Sequence, residues 1–293
     1  MPANTRDIRR RIKSVKNTSQ ITKAMQMVAA AKMRKAQNAA VAGRAYAEQL
    51  RKVFASLADK QEEGAHPLLE QREVKKELVV VISTDKGLCG ALNTNLFREV
   101  AKFDPEKSVF VVVGRKAMQY LMRGKRNVVA EFMLKENFTF LEAKQVSKFC
   151  MDKFNEGDVD KATVVFTDFV NTLTQTPRVR TILPITSFEV GDVLSTDKQA
   201  ATPVEPSSSE YLFEPNAHQV LNAVLPHYVH FQMFQMVLDS RASEHSARMV
   251  AMKNATDNAK QLIKDLTLEY NKIRQASITT ELLEISTAQA ALG

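Results

Sequence analysis

The sequence has no tryptophan and only two cysteines, Cys89 and Cys150. With no C-x-x-C pair there is neither a disulfide framework nor a cysteine-built zinc site, and so few thiols fit a reducing compartment. No run of about 18 apolar residues occurs, which leaves no helix suited to inserting directly into a bilayer. Both common glycine-rich phosphate motifs are missing. The single Gly-Lys pair, Gly124-Lys125, is followed by Arg126 and has no matching upstream glycine. His227 and His230 stand three apart, but no carboxylate or cysteine completes a metal set around them. There is no G-x-S-x-G, no Ser/His/Asp arrangement and no paired-carboxylate site. The residues therefore point to a chain without cofactor, metal or bond chemistry of its own.

Charge is present in excess and is unevenly placed. The net charge is +8. Residues 3–52 carry thirteen Lys/Arg against Asp7 and Glu48, a local balance of +11, so the remainder is −3. A basic arm of this kind can meet nucleic acid, anionic lipid or an acidic protein surface. Its one aromatic, Tyr46, does not supply the stacking that a single-strand binder uses.

From Thr5 to Leu57 there is no proline and a single glycine, Gly43, amid abundant alanine, which predicts one long helix. Its apolar stripe is read through Ile8, Ile12 and Val15, then Ile21, Met25 and Val28, then Tyr46, Leu50, Val53 and Leu57. The far end of the chain has a stricter period. Steps of three and four from Phe231 pass through Phe234, Leu238, Ala242, His245, Met249, Met252, Thr256, Ala259, Ile263, Leu266, Tyr270 and Ile273, all apolar except His245 and Thr256. That alternation is the pattern of a coiled coil. Both helices have thin, small-residue seams, so each is the other's expected partner. If they leave the central domain level with one another, near Leu57 and Leu212, facing residue numbers total roughly 269 at equal rise. Met25 then faces Glu244 to Met249, Ile12 faces Asp257, and Thr267 to Ile285 overhangs.

Between the two helices the pattern changes. Leu78–Ile82 and Val109–Val113 are continuous apolar runs suited to buried parallel strands, with further strands at 127–132, 162–169 and 178–185. Helical patterns at about 91–102, 115–123 and 139–155 alternate with them, which predicts a mostly parallel sheet with Rossmann-like layering. Residues 187–209 read as loop. Pro226 marks either a kink in the last helix or its start. The fold class expected is α/β plus a long antiparallel α-helical coiled coil, with segments 1–58 and 210–293 pairing and 74–200 forming the α/β domain. The Arg-rich beginning reads as the first turns of a mature helix rather than as a transit peptide.

The turn Ser83-Thr84-Asp85-Lys86-Gly87-Leu88-Cys89-Gly90 after the first strand sits where α/β proteins often bind phosphate, but as sequence it needs no more than a tight turn with glycines. Together with Ile21–Lys35, with Ser243–Ala259 and with Tyr270–Ile285, it resembles the gamma subunits of rotary F-type ATP synthases. The resemblance spans essentially the whole chain; one departure is Ala288-Gln289, where that family usually has a Gly-Ala pair. It implies a central rotor stalk whose coiled coil lies inside a ring of three alpha and three beta subunits. The α/β domain would lie near the epsilon subunit and the membrane c-ring, and rotation driven by proton flow would be passed to the beta subunits. It implies no catalysis in this chain and no cofactor. It also implies a peripheral membrane position, on the cytoplasmic face of a bacterial membrane ahead of the matrix face of an organelle. Met25, Lys86, Arg248, Arg274, Gln275 and Glu281 match positions which that family associates with coupling contacts. Two other classes remain open on the residues alone: a basic coiled coil that binds nucleic acid, and a small α/β enzyme using Cys89.

Overall fold

The computed structural model describes residues 5–43, 46, 49–50, 53, 66–135, 138–186, 214 and 216–292. The expected helix exits at Leu57 and Leu212 and the loop at 187–209 lie outside them. The elements run α1 (Thr5–Ala42), β1 (Glu77–Ile82), α2 (Leu92–Val100), β2 (Ser108–Val113), α3 (Arg115–Arg123), β3 (Val128–Phe132), α4 (Phe140–Asn155), β4 (Lys161–Phe169), β5 (Gln175–Leu183) and α5 (Ala217–Leu292). The chain divides into two compact units. One holds the residues up to Ala29 together with those from Met249 onward, and the other holds Ala30–Arg248.

In the sheet-bearing unit the strand order is β3-β2-β1-β4-β5. β1 pairs in parallel with both β2 and β4, β2 with β3 in parallel, and β5 closes the far edge antiparallel to β4. The unbroken apolar run of β1 is explained by its central place. Successive side chains point to opposite faces, so Leu78, Val80 and Ile82 enter one core while Val79 and Val81 enter the other. The second core is covered by Leu96 and Val100 of α2 and by Ala117 and Leu121 of α3. The first is covered by Val146, Cys150 and Phe154 of α4 and by Leu225, Tyr228, Val229 and Met233 of α5. Burying each large apolar side chain of this kind contributes roughly 1.5–3 kcal/mol. α4 starts on a reciprocal cap, in which the Thr139 side chain accepts from the Glu142 amide and the Glu142 carboxylate accepts from the Thr139 amide.

Pro226 neither starts nor ends α5; it lies inside a helix of 76 residues. Burial along α5 changes character. From Tyr228 to Ser246 every residue is buried except Phe234 and Arg241, which are half-buried; beyond Met252 only positions on the three-and-four alternation, and Ala255 beside them, stay out of water. All thirteen seam residues from Phe231 to Ile273 are buried or half-buried.

The stripe of α1 departs from the expectation. Ile21 and Val28 are 60% and 53% exposed, while Thr22 and Ala29 are buried. The seam runs through Ile8, Ile12, Val15, Ser19, Thr22, Gln26, Ala29 and Met33, following the period rather than the larger apolar side chains. The pairing register departs too. In the helical unit Thr22 and Thr256 share a buried hydroxyl–hydroxyl hydrogen bond of 2.7 Å, and Arg9 Nη2 donates to the Tyr270 hydroxyl at 2.8 Å. In the sheet-bearing unit Ala40 packs on Leu238. Residue n of α1 thus faces about 278 − n on α5, nine residues further along than expected. The expectation rested on level helix exits, and the observed pairs do not sum as that premise requires. Under the observed register Ile8, Thr22 and Ala29 all meet seam residues (Tyr270, Thr256, Met249), whereas the expected register faced Ile12 with the exposed, charged Asp257.

In a Cys89→Ala, Cys150→Ala background, cysteines at Thr22 and Thr256 will cross-link readily under mild oxidation, and cysteines at Ile12 and Asp257 will not. Gel mobility under non-reducing conditions reads the result, and linking of the second pair alone would refute the register.

Candidate functional site

The turn after β1 is held open and rigid by its own side chains. The Asn93 amide donates to Thr84 Oγ1 at 2.8 Å, and that hydroxyl donates to the Lys86 carbonyl at 2.8 Å. Asp85 Oδ1 accepts from the Arg115 amide at the start of α3, and Ser83 Oγ accepts from the Ala117 amide at 2.8 Å. These bonds tie the turn to the starts of α2 and α3. Gly114, just before α3, has φ +102, and a Cβ there would lie 2.3 Å from the Ser83 carbonyl oxygen, so close approach as well as backbone angle calls for glycine. Leu88 also adopts a positive φ, 64, and is 62% exposed at the tip of the turn.

α5 grips this turn with an alternating row of charges. Glu244, 5% exposed, accepts from Arg241 Nη1 through one carboxylate oxygen and from Arg248 Nη2 through the other, each at 2.9 Å. Arg241 Nη2 reaches the Leu134 carbonyl at 3.2 Å and Asp85 Oδ2 at 3.5 Å. Arg248 Nη2 donates to the carbonyls of Lys86 and Gly87 at 3.3 Å. A carboxylate this deeply buried needs cations with good geometry, and the i, i+3 and i, i+4 spacing on one helix provides two. On the same stretch Ser243 donates to the Thr167 carbonyl and Ser246 to the Thr172 carbonyl, so α5 is bonded to both β4 and the loop after it.

Of the six residues singled out by the resemblance, Lys86 and Arg248 are brought together here. Met25 is half-buried on α1 in the helical unit. Arg274, Gln275 and Glu281 are exposed on α5 in that same unit, and the register puts Met25 opposite about residue 253, roughly 30 Å along the helix from Arg274. Asp85, Arg241 and Glu244 were not singled out, although R-x-x-E-x-x-x-R is readable as a helical ion-pair ladder.

The remaining candidates resolve into packing. Cys89 is buried and accepts from Asn93 Nδ2 at 3.4 Å, and burial pushes its thiol pKa up, away from nucleophilic use. Cys150 is pushed up to about 12 by full burial. His230 Nδ1 bonds to Ser147 Oγ at 2.7 Å, and His227 packs its ring on Tyr46 and Phe140. Among the described residues no group of three or more His, Cys, Asp or Glu is placed to hold a metal ion.

Replacing Glu244 by Gln leaves two largely buried guanidinium groups without their shared anion, and we expect a loss of about 3 kcal/mol in unfolding free energy. Asp257→Asn, in the exposed pair with Lys260, should change it by under about 0.5 kcal/mol. Denaturant titration of both variants checks the contrast. Burial holds the His230 pKa down to about 4. Because the unfolded imidazole takes its proton first, stability is full above about pH 6.5 and falls as pH drops towards 4. His230→Phe should flatten that part of the profile.

Comparison with known proteins agrees with this arrangement. A family model described as ATP synthase matches residues 4–292. The "ATP synthase gamma chain" of Methylacidiphilum infernorum is 50% identical over 99% of this chain and 100% of that protein. That of Opitutus terrae is 51% identical over 99% of each. Among solved structures, a chain of the Euglena gracilis mitochondrial ATP synthase (OSCP/F1/c-ring, rotational state 3) superposes with a TM-score of 0.68 at 20% identity, over 98% of this chain and 94% of that one. A chain of the Tetrahymena thermophila central stalk and c-ring gives 0.59 at 23% identity, over 80% and 99%. At those identities the two solved structures speak to the fold, and the full-length relatives speak to kinship: the chain belongs to the ATP synthase gamma chain family.

Proposed function

We propose that this chain is the central rotor stalk of a proton-translocating F-type ATP synthase. It couples rotation of the membrane c-ring to the catalytic beta subunits of an alpha3-beta3 ring, and the epsilon subunit is a further partner. The chain carries out no bond chemistry. The observation that carries the reading is identity of about half the residues along the full length of proteins named ATP synthase gamma chain. The form of α5 supports it: one helix of 76 residues, rooted in a sheet core at Tyr228 and Met233 and bonded to α1 at Thr256 and Tyr270.

The coupling contacts belong to this proposal. Arg274, Gln275 and Glu281 lie beside Ile278, Leu282, Leu283 and Ile285, which are 47–64% exposed. A row of exposed aliphatics on one helix calls for covering by other subunits, and the polar residues among them are placed to be read by that cover. Lys86 and Leu88 are exposed on the turn that Arg248 holds, with Met25 a further contact on α1. No helix among the described residues is long and apolar enough to cross a membrane, in keeping with a peripheral position. The bacterial sources of the relatives support the cytoplasmic face of a bacterial membrane.

Co-expression with the alpha, beta and epsilon subunits and the membrane sector provides the test. The chain should co-purify in one copy with three alpha and three beta subunits. In membrane vesicles, Arg274→Ala combined with Glu281→Ala should lower ATP-driven proton pumping several-fold while the amount of assembled complex stays near normal. Unchanged pumping would remove those two residues from the coupling set, and failure to co-purify would overturn the function.

A further inference from the structure

In the sheet-bearing unit a cleft of about 160 Å³ opens between α1 and α5, where Ala36 and Ala39 are too small to fill the space beside Phe138 and Leu238. Its charged lining is of one sign: Lys32 and Lys35 from α1 and Arg241 from α5. The remaining polar wall is His245, 7% exposed, whose Nδ1 is buried without a hydrogen-bond partner. Glu244, the nearest carboxylate in sequence, is occupied between Arg241 and Arg248. Leaving a buried polar atom unanswered costs on the order of 1–3 kcal/mol, and each such atom in a native fold calls for an explanation. Here the atom belongs to a residue that lines a cleft whose rim is cationic.

We propose that this cleft binds a small oxyanion of phosphate size, with the oxygens facing Lys32, Lys35 and Arg241 and one of them accepting from His245 Nδ1–H. Size limits the ligand. Liquid water takes about 30 Å³ per molecule, so 160 Å³ admits a phosphate or sulfate and excludes a nucleotide. Lys32 and Lys35 have contacts of their own, and the site requires only their charge at the rim. The alanine, phenylalanine and leucine walls keep the local dielectric low, which strengthens each charge–oxygen contact relative to water. His245 also provides a reporter. The charged groups facing it are Lys32 from α1 and Arg241, Arg248 and Glu244 from α5. Burial holds its pKa down, the three cations add to that and Glu244 opposes it. An anion at Nδ1 reverses the balance and favours the imidazolium.

The test uses the full chain with isotope-labelled histidine, titrated with inorganic phosphate, sulfate and glycerol 1-phosphate at ionic strength held constant with chloride. We expect saturable binding of phosphate with a Kd on the order of 1 mM and an upward shift of the His245 titration curve. His245→Phe and Lys35→Gln should each weaken binding about tenfold, while Lys16→Gln, outside the cleft, should not. If His245→Phe fails to fold, His245→Gln and Lys35→Gln carry the comparison. Equal affinity for glycerol 1-phosphate assigns the site to a phosphoryl group on a larger molecule, and preference for inorganic phosphate or sulfate assigns it to the free ion; both uphold the oxyanion site. A non-saturating response, one matched by chloride, or unchanged affinity in the folded His245 and Lys35 variants would overturn it.

Discussion

A carboxylate withdrawn from water must be given cations, and Glu244 receives one on each oxygen. The requirement arises because α5 between Tyr228 and Ser246 is enclosed on nearly all sides. Its residues there include Gln232, Asp239, Ser240, Ser243, Glu244, His245 and Ser246, none of which is comfortable in an apolar interior. The fold answers Ser243 and Ser246 with the Thr167 and Thr172 carbonyls, and Glu244 with Arg241 and Arg248, and through those arginines with Asp85 and the Lys86 and Gly87 carbonyls. The geometry of the first βα turn is therefore tied to the position of one helix. A turn with an exposed lysine and an exposed leucine keeps its shape because buried charge behind it has nowhere else to go.

Much of this was readable beforehand, because the strongest signals are periodic. β1 and β2 are apolar on both faces, which only an interior strand needs, and the alternation of strands with helices permits little besides a parallel sheet. The last helix announced its seam through thirteen positions, His245 and Thr256 included. Reading failed where apolar character and period disagree. On α1, Ile21 and Val28 are large and apolar but lie off the seven-residue repeat, while Thr22, Gln26 and Ala29 lie on it; the period prevails because a coiled coil has one line of contact.

The register was legible in principle through a different constraint: seam must meet seam. That condition restricts the offset between the helices to heptad steps, and it excludes facing Ile12 with Asp257. The site was less legible. Arg241, Glu244 and Arg248 are spaced for one helical face, but their link to Asp85 joins positions 156 residues apart, and no local pattern carries such information. The basic rim of the cleft near His245 is hidden for the same reason, since it combines α1 and α5.

The Thr22–Thr256 layer has a consequence for how force travels in the helical unit. Thr256 Oγ1 also reaches the Met252 carbonyl at 2.8 Å and Thr22 Oγ1 the Ser19 carbonyl at 3.1 Å, so each hydroxyl has a carbonyl of its own helix as well as the facing hydroxyl as partners. A slide of one heptad would set Thr256 against Val15 or Ala29 and break the hydroxyl–hydroxyl bond with no polar group opposite to replace it. The neighbouring layers, built from Ala29, Met252 and Ala259, distinguish such positions poorly, because small and flexible side chains fit nearly as well one step along. The layer therefore acts as a detent. A pull along one helix axis is resisted at two oxygens before the alkyl contacts begin to slip.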